Sequence, residues 1–321
     1  MTQQHLPGST GCAGSAGRSS DTAKDDLRIG WIGTGCMGIP MVTHLLRNGF
    51  QVSVHNRTKS RAEPLLAMGA SWYDFPSAVA RNSHVVFTIV GTPADVESVY
   101  FGESGIFSGI RPGTILCDMT TSRPELMVRL AKAAKSRLAV ALDAPVTGAV
   151  IGATLGTLSI FVGGEEAAFR RILPILKVFG KKIVRFGDVG MGQKAKLANQ
   201  IALAGEMIGV CESLYFAQSA GVEPRNWWEL VKLGAAGSVP MTNLGAKILD
   251  DDWSAGFFVA HFAKDLKICL EECRRMKIRL PGLELAEKMY RRLAAQGFAR
   301  NGIQTLWRQY VPNAETSSDA E

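Results

Sequence analysis

The chain has 321 residues, enough for one large core or two smaller ones, and two domains is the arrangement this length favours. With 46% hydrophobic and 20% charged residues it has the composition of a globular protein, and no apolar run reaches the ~20 residues of a membrane span, so a helical membrane protein is excluded. The net charge of +7 suits anionic small molecules, but no Lys/Arg block or interleaved aromatic stripe gathers it, so nucleic acid is not the expected partner.

Residues 1–26 are dominated by Gly, Ser, Thr and Ala and are expected to form a disordered tail. They lack the apolar core of a secretory signal, and Arg18 and Lys24 stand against Asp21, Asp25 and Asp26, a poor balance for a mitochondrial presequence. The cytoplasm is therefore preferred to the mitochondrial matrix. Six cysteines (Cys12, Cys36, Cys117, Cys211, Cys269, Cys273) contain no C-x-x-C pair. Neither a metal site nor a disulfide framework is expected, and a reducing compartment fits.

Residues 27–32 form a short apolar run of the kind that makes a buried parallel strand, and residues 40–48 carry helical spacing, closed by Gly49. Between them stand Gly33, Thr34, Gly35, Cys36, Met37 and Gly38. A G-x-G-x-x-G in a strand–turn–helix context binds a dinucleotide: the first glycine makes the tight turn, the second lets the pyrophosphate approach, and the third lets helix and strand pack closely. The second strand, 51–55, runs into Asn56, Arg57 and Thr58. An NAD enzyme usually places an acid here on the ribose 2′-hydroxyl. Arg57 instead offers charge-assisted bonds to a 2′-phosphate, with Asn56 and Thr58 as neutral donors, so NADP(H) is expected over NAD(H), with NAD still admissible.

Further strands are expected at 84–90, 114–118, 138–143, 158–163 and 183–186, with helices such as 124–136 and 165–179 between them. This alternation predicts a doubly wound parallel sheet, an α/β Rossmann domain spanning 27–190. From Gly192 the strands vanish. Leu197, Ile201, Ala204, Ile208, Cys211 and Tyr215 mark a long amphipathic helix, followed by helices at 225–233, 241–248, 259–276 and 283–295. An all-helical domain over 191–312 is expected, then a disordered tail at 313–321. Cys269 and Cys273 share a helix face and read as core thiols. Apolar stripes of this length commonly need a partner surface, which predicts a homodimer or homotetramer, although one chain can also bury them internally.

Lys196 and Asn199 share a face near the start of the long helix, beside its apolar stripe, at the junction of the two domains. Lys196 is a candidate acid–base group for a carbonyl. A neighbouring Lys264 and burial lower its pKa and a bound carboxylate raises it, so the net direction stays open. Lys264 points away from the stripe of Phe262, Leu266, Cys269 and Cys273, as either an exposed charge or a functional cation, and Asp265 reads as a surface residue beside it. The segment Asp143-Ala144-Pro145-Val146-Thr147-Gly148-Ala149 follows a strand's C-terminal end, where open α/β sheets bind ligands. It is either a plain turn or, through the Thr147 hydroxyl and nearby N–H groups, a carboxylate site.

Four motifs in order, namely the glycine loop with Met37, the 143–149 segment, Gly190-Met191-Gly192-Gln193-Lys194-Ala195-Lys196-Leu197-Ala198-Asn199-Gln200, and Lys264-Asp265-Leu266, resemble the β-hydroxyacid dehydrogenases. The resemblance covers about residues 27–310. It implies that Lys196 is the catalytic lysine and that Asn199 orients the substrate. It further implies that Lys264 and Thr121 touch the cofactor near the nicotinamide and that Thr147, Gly148 and Ala149 bind a small carboxylate-bearing substrate. Two departures stand out: the family usually has Ser-Gly-Gly where this chain has Thr147-Gly148-Ala149, and Asn-Asn where it has Asn199-Gln200. Thr adds a methyl, and Ala149 is strained if the backbone there needs φ > 0. The related imine reductases often lack the lysine, so Lys196 favours a carbonyl/alcohol couple. The expected reaction interconverts a short β-hydroxy acid, such as 3-hydroxyisobutyrate, and its semialdehyde. The alternatives are a glyoxylate or succinic semialdehyde reductase and, in a different class, a non-catalytic NADP-binding regulatory module.

Overall fold

The structure, a computed structural model, describes residues 27–311; the two tails expected to be disordered and Cys12 lie outside the described residues. The strands are β1 Arg28–Ile32, β2 Gln51–His55, β3 Ser71–Trp72, β4 Val85–Thr88, β5 Ile115–Asp118, β6 Val140–Asp143, β7 Val146–Thr147, β8 Leu158–Gly163 and β9 Gly180–Gly187. They join in one sheet of order β3-β2-β1-β4-β5-β6-β8-β7, with β9 on β8. From β3 to β6 every pairing is parallel. The expected doubly wound sheet is therefore present, and it carries an extension that alternation alone does not reveal. β8 runs antiparallel to β6 and β7, and β9 runs parallel to β8. The two-residue strands β3 and β7 are too short to leave a periodic signal.

The inner strands are apolar because both faces are covered. Ile29, Trp31 and Ile32 of β1 are fully buried or nearly so, and Trp31 stacks on Phe87 at 5.4 Å and meets Phe179 edge-on at 6.0 Å. The longer helices of this half are α1 Gly38–Arg47, α2 Pro93–Phe101, α3 Pro124–Lys135, α4 Ala149–Leu155 and α5 Glu166–Leu176. Then comes α6, Met191–Ser219, which begins one and a half turns before the first apolar residue of its predicted stripe. It is followed by α7 Pro224–Val231, α8 Val239–Leu249, α9 Val259–Met276 and α10 Pro281–Ala295.

A separate core of Leu197, Met207, Leu214, Phe262, Leu266 and Tyr290 gathers around α6, so the apolar stripe of that helix is largely buried within the chain. Cys269 and Cys273 are buried there as free thiols. The first turns of α6 also pack on β8 and β9, so one helix serves both the sheet and the helical half. Among the described residues no helix is long and apolar enough to cross a membrane.

Candidate active site

At the end of β1 the chain turns through Gly33 at φ +103°, its N–H donating to His55 O at 3.0 Å. A side chain there would put Cβ 2.0 Å from Ile89 O, and one on Gly38 would stand 1.9 Å from Gly33 O. Gly35 is different: a Cβ on it would meet nothing within 4 Å. Two glycines thus close the turn while the third leaves the loop's outer face open to an approaching group. This pattern fits a dinucleotide pyrophosphate. Thr34 is buried, its N–H donating to Asn56 Oδ1 at 3.2 Å, and Asn56 Nδ2 donates to Thr58 O at 2.9 Å. Asn56 therefore ties the loop to the end of β2 and is less available as a phosphate donor than its position in the sequence implies. Arg57 is almost fully exposed beside it, with Asp95 at 3.5 Å.

Lys196 and Asn199 lie on the first turns of α6. Lys196 is only 6% exposed, and burial pulls its ammonium down to about 8, with Lys264 adding to the shift and Asp265 opposing it. The direction left open by sequence is therefore downward in the free protein. From α9, Lys264 folds back so that its Nζ donates to Thr121 O at 2.7 Å. It is thus part-buried at the site, not an exposed helix charge. The expectation for Asp265 is overturned, since this residue is 2% exposed. Its Oδ2 accepts from Gln200 Nε2 at 2.7 Å, and its Oδ1 lies 2.9 Å from Lys264 Nζ as an ion pair without hydrogen-bond alignment. Gln200 Oε1 in turn accepts from Asn199 Nδ2 at 2.9 Å. A buried carboxylate thus orders both a lysine and, through Gln200, the asparagine beside Lys196.

The third segment enters from β7. Thr147 pairs with Ser159 across the antiparallel β7–β8 ladder, and Gly148 takes φ +128°. Ala149 follows at φ +53°, so the condition for strain at this residue is met. A cavity of about 1050 Å³ joins these parts. Cys36, Met37, Thr121, Thr147, Gly148, Ala149, Lys196, Asn199 and Lys264 all line it, whereas Gly33, Thr34, Gly35, Gly38, Asn56, Arg57 and Thr58 do not.

Sequence reasoning missed two contributors and misjudged two more. Gln200 was noted only as a departure and Asp265 only as a surface residue, because the contact that joins them spans 65 residues. Phe257 and His261 reach the cavity from the loop before α9 and from its first turn. The His261 imidazole is pushed down, chiefly by burial and then by Lys264. A histidine one turn before Lys264 on the same helix was the available signal.

Residues 28–187 match the family model described as the NAD binding domain of 6-phosphogluconate dehydrogenase. Residues 190–310 match that of the NAD-binding region of NADP-dependent 3-hydroxyisobutyrate dehydrogenase. The chain is 47% identical over 296 residues to the Arabidopsis thaliana protein named "Probable 3-hydroxyisobutyrate dehydrogenase-like 1, mitochondrial", covering 90% of this chain and 88% of that protein. It is 35% identical over 271 residues to 2-hydroxy-3-oxopropionate reductase of Escherichia coli (strain K12), covering 84% and 92%. The solved structure of Psf3 in complex with NADP+ and 2-OPP superposes with a TM-score of 0.82 at 25% identity, covering 88% of this chain and 100% of that one. With two dinucleotide-domain matches, an open glycine loop and a buried lysine at the same cleft, the chain belongs to the β-hydroxyacid dehydrogenase family and is an NAD(P)-dependent oxidoreductase of CH–OH groups.

Proposed function

We propose that the protein is an NADP(H)-preferring enzyme that interconverts a short β-hydroxy acid of the 3-hydroxyisobutyrate type and its semialdehyde, with Lys196 as acid–base group. The observation that carries this reading is the buried, pKa-lowered amine of Lys196 in the cavity that Thr147 and, from the glycine loop, Cys36 and Met37 also line. Gly33 to Gly38, with Arg57 and Thr58 at the ribose end and Thr121 and Lys264 at the other, would hold the cofactor, which supplies or accepts hydride when bound. In reduction, Lys196 Nζ gives a proton to the carbonyl oxygen; in oxidation it takes the hydroxyl proton back. Asn199 orients the substrate oxygen. The Thr147 hydroxyl and the Gly148 and Ala149 backbone hold the carboxylate. The division near residue 190 separates a cofactor domain from a substrate and dimerisation domain. A homodimer or homotetramer, which sedimentation would test, and a cytoplasmic location complete the reading.

A panel of C3 to C4 hydroxy acids and semialdehydes, assayed with NADPH and NADH, tests substrate and cofactor together. Lys196→Ala should lower turnover on the order of 10²-fold or more with NADPH affinity nearly unchanged. Undiminished turnover in that variant rejects the role of Lys196, and a strong NADH preference in the native enzyme rejects the role of Arg57. The relationship to 2-hydroxy-3-oxopropionate reductase supports a second reading, a reductase of small semialdehydes, which the same panel separates.

A further inference from the structure

Gln193 is fully buried on the first turn of α6, three residues before Lys196. A wholly buried amide needs partners at both ends, and here both are backbone groups of one loop. Its Oε1 accepts from Ser122 N at 2.9 Å and its Nε2 donates to Thr120 O at 2.7 Å. Its own N–H donates to Asp143 Oδ2 at 2.7 Å, while Gly190 N donates to Asp143 Oδ1 at 2.6 Å. The fit around this carboxylate is close. A Cβ on Gly163 would lie 2.6 Å from Asp143 Oδ1, and one on Gly192 would lie 2.7 Å from Oδ2 and 2.4 Å from Phe161 O. The residue between Gln193's two loop contacts is Thr121, whose carbonyl accepts from Lys264. A loop of three residues is therefore held from α6 by Gln193 and from α9 by Lys264.

We propose that Gln193, seated on Asp143, is a positioning residue that fixes the first turn of α6, and with it Lys196, against the loop after β5. The inference rests on the reading of Lys196 as the acid–base group. A displacement of about 1 Å at a reacting group can cost on the order of 10²-fold in rate, and a paired amide is what holds this helix turn against such a slip. Gln193→Met keeps the bulk but leaves Ser122 N and Thr120 O unpaired. Gln193→Glu offers a finer comparison. Its protonated carboxyl reproduces both bonds, O–H to Thr120 O and C=O from Ser122 N, whereas its carboxylate sets a lone pair against Thr120 O. Asp143 on β6 and Asp118 beside it on β5 would favour the protonated form, as would burial; Lys196 on α6 and Lys264 on α9 would oppose it.

The test compares the full-length native protein with both variants. It uses three readouts: kcat with NADPH and a semialdehyde across pH, NADPH affinity by fluorescence, and the pH dependence of Lys196 acetylation by acetic anhydride read by peptide mass spectrometry. Gln193→Met should lower kcat on the order of 10²-fold, weaken NADPH affinity much less because Lys264 still holds Thr121, and move Lys196's titration up towards the ordinary lysine value as water reaches the loosened turn. Gln193→Glu should approach native kcat at low pH and lose it below the native decline, through the range in which Asp143 and Asp118 also titrate. If the methionine variant fails to fold, the two protonation states of the glutamate variant decide the matter within one polypeptide. The inference is overturned if Gln193→Met keeps kcat within about threefold and leaves Lys196's titration unmoved, or if Gln193→Glu is equally slow at every pH. Should the native protein turn over no substrate of the panel, the functional reading fails, while the Lys196 titration still tests the joint.

Discussion

At the scale of the residue, the role proposed for Lys196 carries a pH dependence. Its ammonium is held near 8 chiefly by burial. Reduction needs the protonated amine, so kcat/KM for a semialdehyde should be level below about 8 and fall above it. Oxidation needs the neutral amine and should rise through the same value. Opposite slopes in the two directions are the expected result of pH–rate profiles, and parallel slopes would remove Lys196 from the proton path. Ala149 carries a second prediction. At φ +53° its methyl is held in a region where L-residues are strained by roughly 1–2 kcal/mol. Ala149→Gly gives up that strain against a flexibility cost of about 0.5–1 kcal/mol, so stability should rise slightly or stay level in thermal unfolding. The same change widens the cavity, and activity on semialdehydes with a larger α-substituent should increase relative to the smallest. Lys196 stood out in sequence as a lysine beside an apolar stripe, but a solvated lysine fits that position too, and it was the four ordered motifs that implied its role. Asp265 did not stand out, because what makes it buried comes from another helix.

At the scale of the element, what could be read locally was read well. The glycine loop declares itself within a dozen residues, since its turn, its open face and its close packing are all consequences of missing side chains. Gly38→Ala should place Cβ against Gly33 O, destabilising the fold by about 1–3 kcal/mol and weakening NADPH binding at least about tenfold. Unchanged affinity in a fluorescence titration would show that the loop yields without cost. The extension of the sheet was not legible in the same way. Each of β7, β8 and β9 is short or has an apolar pattern compatible with either direction of pairing. β6 and β7 keep one register on β8, Asp143 opposite Gly163 and Thr147 opposite Ser159, so they run the same way with Ala144 and Pro145 between them, and the chain reverses only through the segment holding α4 before β8. Gln193's clamp was hidden for a related reason, since its two loop partners lie 71 and 73 residues away.

At the scale of the molecule, the two halves have separate cores, yet α6 packs its first turns on the sheet and its remainder in the helical core. The cavity lies where they meet, with walls from both. Composition and alternation foretold the two kinds of architecture but not that the proposed catalytic helix would be fastened to strands more than forty residues earlier. The carboxylate of Asp143 has a consequence for how such chains can be recombined. Residue 190 looks like a clean seam for splicing the front half of one relative to the back half of another. Splicing there would make one parent supply Asp143, Thr120 and Ser122 and the other supply Gln193, with Gly192 as the close-fitting neighbour of Asp143. A hybrid would keep its first helical turn in register only when both parents carry matching halves of that lock, so the residues on the two sides of the seam are inherited as a set.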